Sequence, residues 1–130
     1  MIFETPNSPV VLLVEDEWLV RADMASGLEE AGWAVVEAST GEGAVEQLRN
    51  GFDIDLLVTD IQLAGQLSGW DVANAAREVQ ADFPVIYTSG NPRNPSRQVQ
   101  GSVFLSKPCN CSQVIEAGRK LISSRRSKGG

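Results

Sequence analysis

The sequence contains no histidine, only two cysteines and a single tyrosine. Without histidine the chain has no imidazole for acid–base work near neutral pH, and it cannot carry a phosphohistidine of its own. Cys109 and Cys111 stand one residue apart, a spacing that favours reduced thiols over a disulfide. Two thiols alone do not complete a zinc site, and no histidine is there to help. No apolar run approaches the length of a membrane span. No basic n-region with an apolar core opens the sequence, so a cytoplasmic location is the expectation. Basic charge is scarce too: 11 Lys and Arg against 17 Asp and Glu leave a net charge of −6. With no broad basic patch before the last few residues, the domain body is not expected to bind nucleic acid or an anionic membrane. A P-loop is also missing. The nearest approach, GSVFLSKP, lacks the glycine before lysine and has Pro108 where Ser or Thr would meet Mg²⁺.

What is present points to one α/β domain of 130 residues. In LLVTDIQL, residues 56–63, apolar and β-branched residues run straight into Asp60. Such a run suits a strand buried on both faces. VVLLV, residues 10–14, is a second, ending on Glu15-Asp16. Further strands are expected over 33–38, 85–87 and 103–105, the last ending at Ser106-Lys107-Pro108. Between them lie helical patterns. The first starts at Glu17 with Val20, Met24, Leu28 and Ala31 on one face and Gly32 after its end. Thr40 caps a short second helix carrying Ala44, Val45 and Leu48, closed by Asn50-Gly51. Ser68 and Asp71 form a capping box for a third, with Val72, Ala76 and Val79 inward. Asn110 with Gln113 caps the last, which turns Val114, Ala117 and Leu121 inward. NPRNPSRQVQG, residues 91–101, reads as a loop with at most a short helix. Residues 1–8 read as a lead-in, 9–123 as the folded domain and 124–130 as a flexible basic tail. Strands and helices in alternation imply a doubly wound, five-stranded parallel sheet with helices on both faces.

Polar groups end four of these strands: Glu15-Asp16, Asp60, Ser89 and Lys107. A strand order of 2-1-3-4-5 would bring them to one edge, the edge where open α/β sheets bind ligands. Clustered carboxylates repel, which a divalent cation relieves; few hard oxygen ligands suit Mg²⁺. A lysine can pair with Asp60 or neutralise a phosphoryl oxygen, and a serine hydroxyl can donate to the same oxygen. These parts suit phosphoryl transfer with Asp60 as nucleophile. The plainer alternative is a static Lys–Asp ion pair with spare surface acids.

The sequence resembles the receiver domains of bacterial two-component response regulators from about Pro9 to Ser123. The likeness is carried by LLVEDE, by Asp60 in LLVTDIQLAGQLSGWD, by Ser89 in PVIYTSGN and by Lys107-Pro108 in FLSKP. It implies a flavodoxin-like fold and a phosphoryl group passed to Asp60 from the histidine of a sensor kinase or histidine phosphotransfer protein. It further implies Mg²⁺ held by Asp16, Asp60 and the backbone carbonyl of Gln62, with Glu15 acting through water. Ser89 and Lys107 would contact the phosphoryl group, Ser89 and Phe104 would form a switch pair, and the Lys107–Pro108 peptide would be cis. The chain would catalyse its own phosphorylation and dephosphorylation rather than turn over a separate substrate. It would signal to a downstream protein as a monomer or a phosphorylation-dependent dimer.

Some positions depart from the family pattern. Ala64 stands where proline is usual, the Asp60–Gly69 loop is about one residue longer, Ser89 replaces threonine and Phe104 replaces tyrosine. Pro92 and Pro95 interrupt the region of the usual fourth helix. A dehalogenase-like phosphatase would want an acid where Gln62 stands. A flavodoxin-type cofactor binder remains open on fold alone, as does a receiver-like interaction module that is never phosphorylated. Trp18, beside the acid pair, reads either as packed on the sheet edge or as an exposed anchor for a partner helix.

Overall fold

A computed structural model describes residues 8–50 and 53–129. The expected lead-in, apart from Ser8, and Gly51 lie outside the described residues. The chain alternates β1 (Val10–Val14), α1 (Trp18–Glu30), β2 (Ala34–Ala38), α2 (Gly41–Arg49), β3 (Leu56–Asp60), α3 (Gly69–Val79) and β4 (Val85–Ser89). It then passes to β5 (Val103–Ser106) and α4 (Cys111–Gly129). The five strands form one sheet in the order β2-β1-β3-β4-β5, each pair parallel. This is the doubly wound arrangement that the alternation implies.

Alternation along the strands divides the core in two. Leu12, Val14, Leu57, Val85 and Tyr87 face α2 and α3, where Ala44, Leu48, Val72 and Ala76 cover them. Val11, Leu13, Leu56, Val58 and Ile86 face α1 and α4, against Ala25, Leu28, Val114 and Ile122. β3 and β4 are buried along their whole length, as apolar runs covered on both faces require. The caps form as their sequences suggest. The Thr40 side chain accepts from Gly43 N at 3.0 Å. Ser68 and Asp71 make a reciprocal box, and so do Asn110 and Gln113 at 2.9 and 3.0 Å. Each satisfies helix N–H groups that lack intrahelical partners.

Several details differ from expectation. α1 buries only Ala25 and Leu28, whereas Val20 and Ala31 are exposed. Residues spaced by four advance 400° on a helix, so Val20 has drifted well off Leu28's direction. Trp18 and Leu19 are each 66% exposed, and Val20 41%. Val79, the last residue of α3, is exposed as well. Residues 91–101, by contrast, form turns with no helix, as expected, consistent with Pro92 and Pro95 denying helix its N–H donors. Residues 124–129, expected to form a flexible tail, continue α4. The run holds no proline, and its Arg and Lys are good helix formers. At its start Arg125 pairs with Asp82 at 3.5 Å and lies 5.6 Å from the Phe83 ring centre.

Candidate functional site

β1 and β3 are neighbours, with Val14 registered on Thr59. The residues that follow each, Glu15 after Val14 and Asp60 after Thr59, therefore emerge side by side at the carboxyl edge. Asp60 ends β3 and is 8% exposed; Glu15 is 4% exposed, while Asp16 turns to solvent. One carboxylate oxygen from each of the three lies within 4.8 Å of the others. Lys107 arrives from the far side of the sheet. Its backbone N–H donates to Ser89 O at 2.8 Å, which continues the β4–β5 pairing past the end of β5, and its peptide bond to Pro108 is cis. Its Nζ donates to Glu15 Oε1 at 2.7 Å and to Asp60 Oδ2 at 2.9 Å.

One ammonium thus pairs with two of the three clustered carboxylates. Burial pushes the Glu15 carboxyl above its ordinary value, and the Asp60 charge adds to this; Lys107 and the Glu17 N–H pull the other way. Burial works to discharge Lys107, but its bonds to Glu15 and Asp60 outweigh this and raise it, so it stays an ammonium. Among the ion pairs of the described residues, no second cation is paired with these three carboxylates. A donor set of carboxylate oxygens, with an exposed Asp16 and no imidazole, suits a hard cation rather than a soft one. The cluster therefore fits a magnesium ion on the chemistry of its donors.

The remaining residues fall at graded distances from this centre. Ser89 is buried at the end of β4, and its Oγ accepts from Asn91 N at 3.0 Å. Phe104 is half-buried on β5, registered beside Tyr87. Gln62 lies exposed on the β3–α3 loop, two residues past Asp60. Trp18 stands exposed at the first turn of α1. It is not packed on the sheet edge. A cleft of about 390 Å³ runs between α1 and the stretch after β5, lined by Glu15, Val20, Met24, Lys107, Pro108 and Cys109 among others. Burial raises the Cys109 thiol above its ordinary value, with Lys107 opposing; the residue is a neutral wall of the cleft. Cys111 lies under α1 with its Sγ against Gly27.

Gly69 gives the site its tightest backbone contact. A Cβ there would meet the Asp60 carbonyl oxygen and would come 2.8 Å from Ile61 Cα. Only glycine lets α3 begin this close to the strand end, and its N–H donates to Ile61 O at 2.8 Å. Sequence reasoning overlooked Arg21. Its Nη1 donates to Glu15 O at 2.8 Å and its Nε to Glu37 Oε1 at 3.0 Å, which fixes the backbone that carries Glu15. It is the one basic residue of α1, the only mark that singles it out in the sequence.

Comparison with known proteins follows the same lines. The sequence model of the response regulator receiver domain matches residues 11–119. A crystal structure of a response regulator receiver protein from Sinorhizobium medicae is 36% identical with a TM-score of 0.88, over 92% of this chain and 98% of that one. The aerobic respiration control protein ArcA of Escherichia coli is 29% identical over 95% of this chain and 52% of its own length. The sensor kinase CckA of Brucella abortus is 28% identical over 92% of this chain and 13% of its own. The chain spans about half the length of ArcA, and a small part of the kinase.

Proposed function

This chain belongs to the response regulator receiver domain family of two-component signalling, and we propose that it accepts a phosphoryl group on Asp60. The observation that carries this reading is the meeting of Glu15, Asp16, Asp60 and Lys107 at one strand edge. Two buried acids on one lysine with a third, exposed acid beside them make a poor device for stability alone, and a good one for binding a cation and a phosphoryl group together. Asp16 and Asp60, with the backbone carbonyl of Gln62, would hold Mg²⁺, and Glu15 would act through a bound water. When bound, the ion supplies positive charge to the phosphoryl oxygens.

The donor is a phosphohistidine on a sensor kinase or phosphotransfer protein, the class of partner that the CckA relationship suggests. Lys107 engages Asp60 Oδ2, so Oδ1 is the attacking atom. The O–P bond forms as the P–N bond breaks. The electron pair of that bond returns to the imidazole nitrogen, which takes up a proton and leaves as neutral histidine. Lys107 and Ser89 then meet the phosphoryl oxygens. Dephosphorylation is attack of water on the same phosphorus, returning carboxylate and inorganic phosphate. In the switch, Ser89 exchanges its present bond to Asn91 N for one to the phosphoryl group, and Phe104 rotates into the space behind it. The changed surface around β5 would then address a downstream protein.

The test is phosphorylation by acetyl phosphate with Mg²⁺, read by intact mass. The wild type should gain one phosphoryl group, and Asp60→Asn none, because an amide is not a competent nucleophile. Equal labelling of the variant would overturn the assignment. No labelling of the wild type, from either acetyl phosphate or a kinase, would favour the interaction module that is never phosphorylated.

A further inference from the structure

We propose that Glu42, on α2, is a positioning residue for the metal site: its carboxylate clamps the β3–α3 loop and so holds the Gln62 carbonyl where Mg²⁺ needs it. The inference rests on the reading given under Proposed function and adds a residue that no part of that reading uses.

The loop from Ile61 to Ser68 has a problem to solve. It is a residue longer than the family pattern, and Ala64 stands where proline would stiffen it. Both changes leave the free loop more conformations to lose. A carbonyl ligand on such a loop binds a metal well only if something else fixes its backbone. The neck of the loop is closed by Gly69 N to Ile61 O at 2.8 Å, and its far end by the Ser68–Asp71 box. These ties leave the middle of the loop to be held from outside.

Glu42 supplies that hold. Its Oε2 accepts from Gln66 N at 3.0 Å. Gly65 has φ +93°, and a Cβ built on it would lie 2.8 Å from Glu42 Oε1. The carboxylate therefore lies against the loop backbone; glycine is favoured at position 65 by its left-handed conformation, and a Cβ there would push on the carboxylate. Leu67 passes close to Gly41 at the start of the same helix, where a Cβ would meet the Leu67 Cβ and carbonyl oxygen. The clamp is ionic in character. The N–H groups of Gln66, of Glu42 itself and of Leu67 hold the Glu42 carboxyl below its ordinary value. It sits in the first turn of α2, where the helix end favours an anion.

Glu42 is on the protein's surface and touches none of the three acids, so its removal should not disturb the cluster itself. With Glu42→Ala, Mg²⁺ binding measured by calorimetry should weaken roughly tenfold, the lower end of the effect for groups that orient metal ligands. Amide exchange at Gln66 should speed up in the metal-free protein. Phosphorylation by acetyl phosphate at saturating Mg²⁺ should return to the wild-type rate, because only the metal's affinity has changed. Glu42→Gln keeps an acceptor oxygen and should recover part of the affinity. If the wild type binds Mg²⁺ and Glu42→Ala binds it equally well, the clamp has no role at the site. If Glu42→Ala stays slow at saturating Mg²⁺, the residue acts on something other than metal affinity, and the inference is wrong. If the wild type itself binds no Mg²⁺, the proposed metal chemistry falls and this inference falls with it.

Discussion

Replacing Asp60 by asparagine should stabilise the metal-free protein and destabilise it relative to wild type once Mg²⁺ is present. The change keeps the shape of the side chain and removes one charge. Asp60 has an oxygen within 4.8 Å of one from Glu15 and one from Asp16. At that separation two unit charges repel by about 3.5 kcal/mol in an effective dielectric of ~20. The Asp16 share is smaller, roughly a third of this, because that side chain faces water. Against these stands the attraction to Lys107 Nζ at 2.9 Å, about 6 kcal/mol on the same basis. The pairwise terms come close to cancelling. Desolvation decides the sign: Asp60 is 8% exposed, and burying a carboxylate costs several kcal/mol even after relaxation. Asparagine avoids most of that, and its amide oxygen still accepts from Lys107.

The net expectation is a gain of about 1–2 kcal/mol for the variant without metal, or roughly 3–6 °C in Tm for a chain of this size. Saturating Mg²⁺ at about a hundred times Kd adds ~2.7 kcal/mol to the wild type and much less to the variant, which has lost a ligand. The order of the two melting curves should therefore invert between EDTA and Mg²⁺, followed by circular dichroism at pH 7. A variant that melts below wild type in EDTA would refute the reasoning. It would make Asp60 chiefly an anchor for Lys107, with the cluster serving the fold.

Gly69→Ala should cost about 1–3 kcal/mol and slow phosphorylation of Asp60, since the added methyl meets the Asp60 carbonyl; a melting temperature within 1 °C of wild type, on the order of 0.3 kcal/mol, would show that the strand end yields. Tyr87, the only tyrosine, is buried with its hydroxyl accepting from Val99 N at 3.1 Å, and burial raises its pKa above the ordinary 10.0. Its contribution to stability is complete below about pH 10 and is lost as pH rises through the folded value, so tyrosinate absorbance should appear above that pH, together with unfolding. Ionisation at the ordinary value in the folded protein would contradict the burial. Trp18→Ala should move stability by no more than about 0.5 kcal/mol and leave acetyl phosphate labelling unchanged while slowing transfer from a phosphohistidine partner; equal transfer rates would remove Trp18 from the docking surface.

The fold was legible because its signals are local and agree. VVLLV is apolar along its length and LLVTD opens on three apolar residues, as suits strands covered on both faces, and the caps at Thr40, Ser68 and Asn110 are written within four residues of the helices they start. α1 was less legible. Its apolar residues Trp18, Leu19, Val20 and Met24 outnumber the two it buries, so the four-residue spacing found Met24 and Leu28 on the core side but overran the buried face at Val20 and Ala31. Periodicity reports what a helix can bury, and the position of the helix over the sheet decides what it does bury. At the far end, a basic and serine-rich run suggested a loose tail, but such residues extend a helix readily once Arg125 is tied to Asp82 and Phe83.

The candidate site divides along the same line. Glu15, Asp16, Asp60 and Lys107 each end an apolar run or follow one, so the strand order was enough to bring them together. The groups that hold the surrounding backbone in place carry no such mark. Arg21 acts on Glu15 through a backbone oxygen, and a carbonyl acceptor leaves no trace in residue types. Glu42 reaches Gln66 across 24 positions of sequence, and as the acid in the first turn of α2 it looks like ordinary complement to the helix dipole. The one clue was indirect. Ala64 and an added residue loosen the loop beside Asp60, and a carbonyl ligand proposed on such a loop calls for an outside restraint. A departure from a family pattern is therefore a reason to look for the group that compensates for it, and here that group lies on the neighbouring helix.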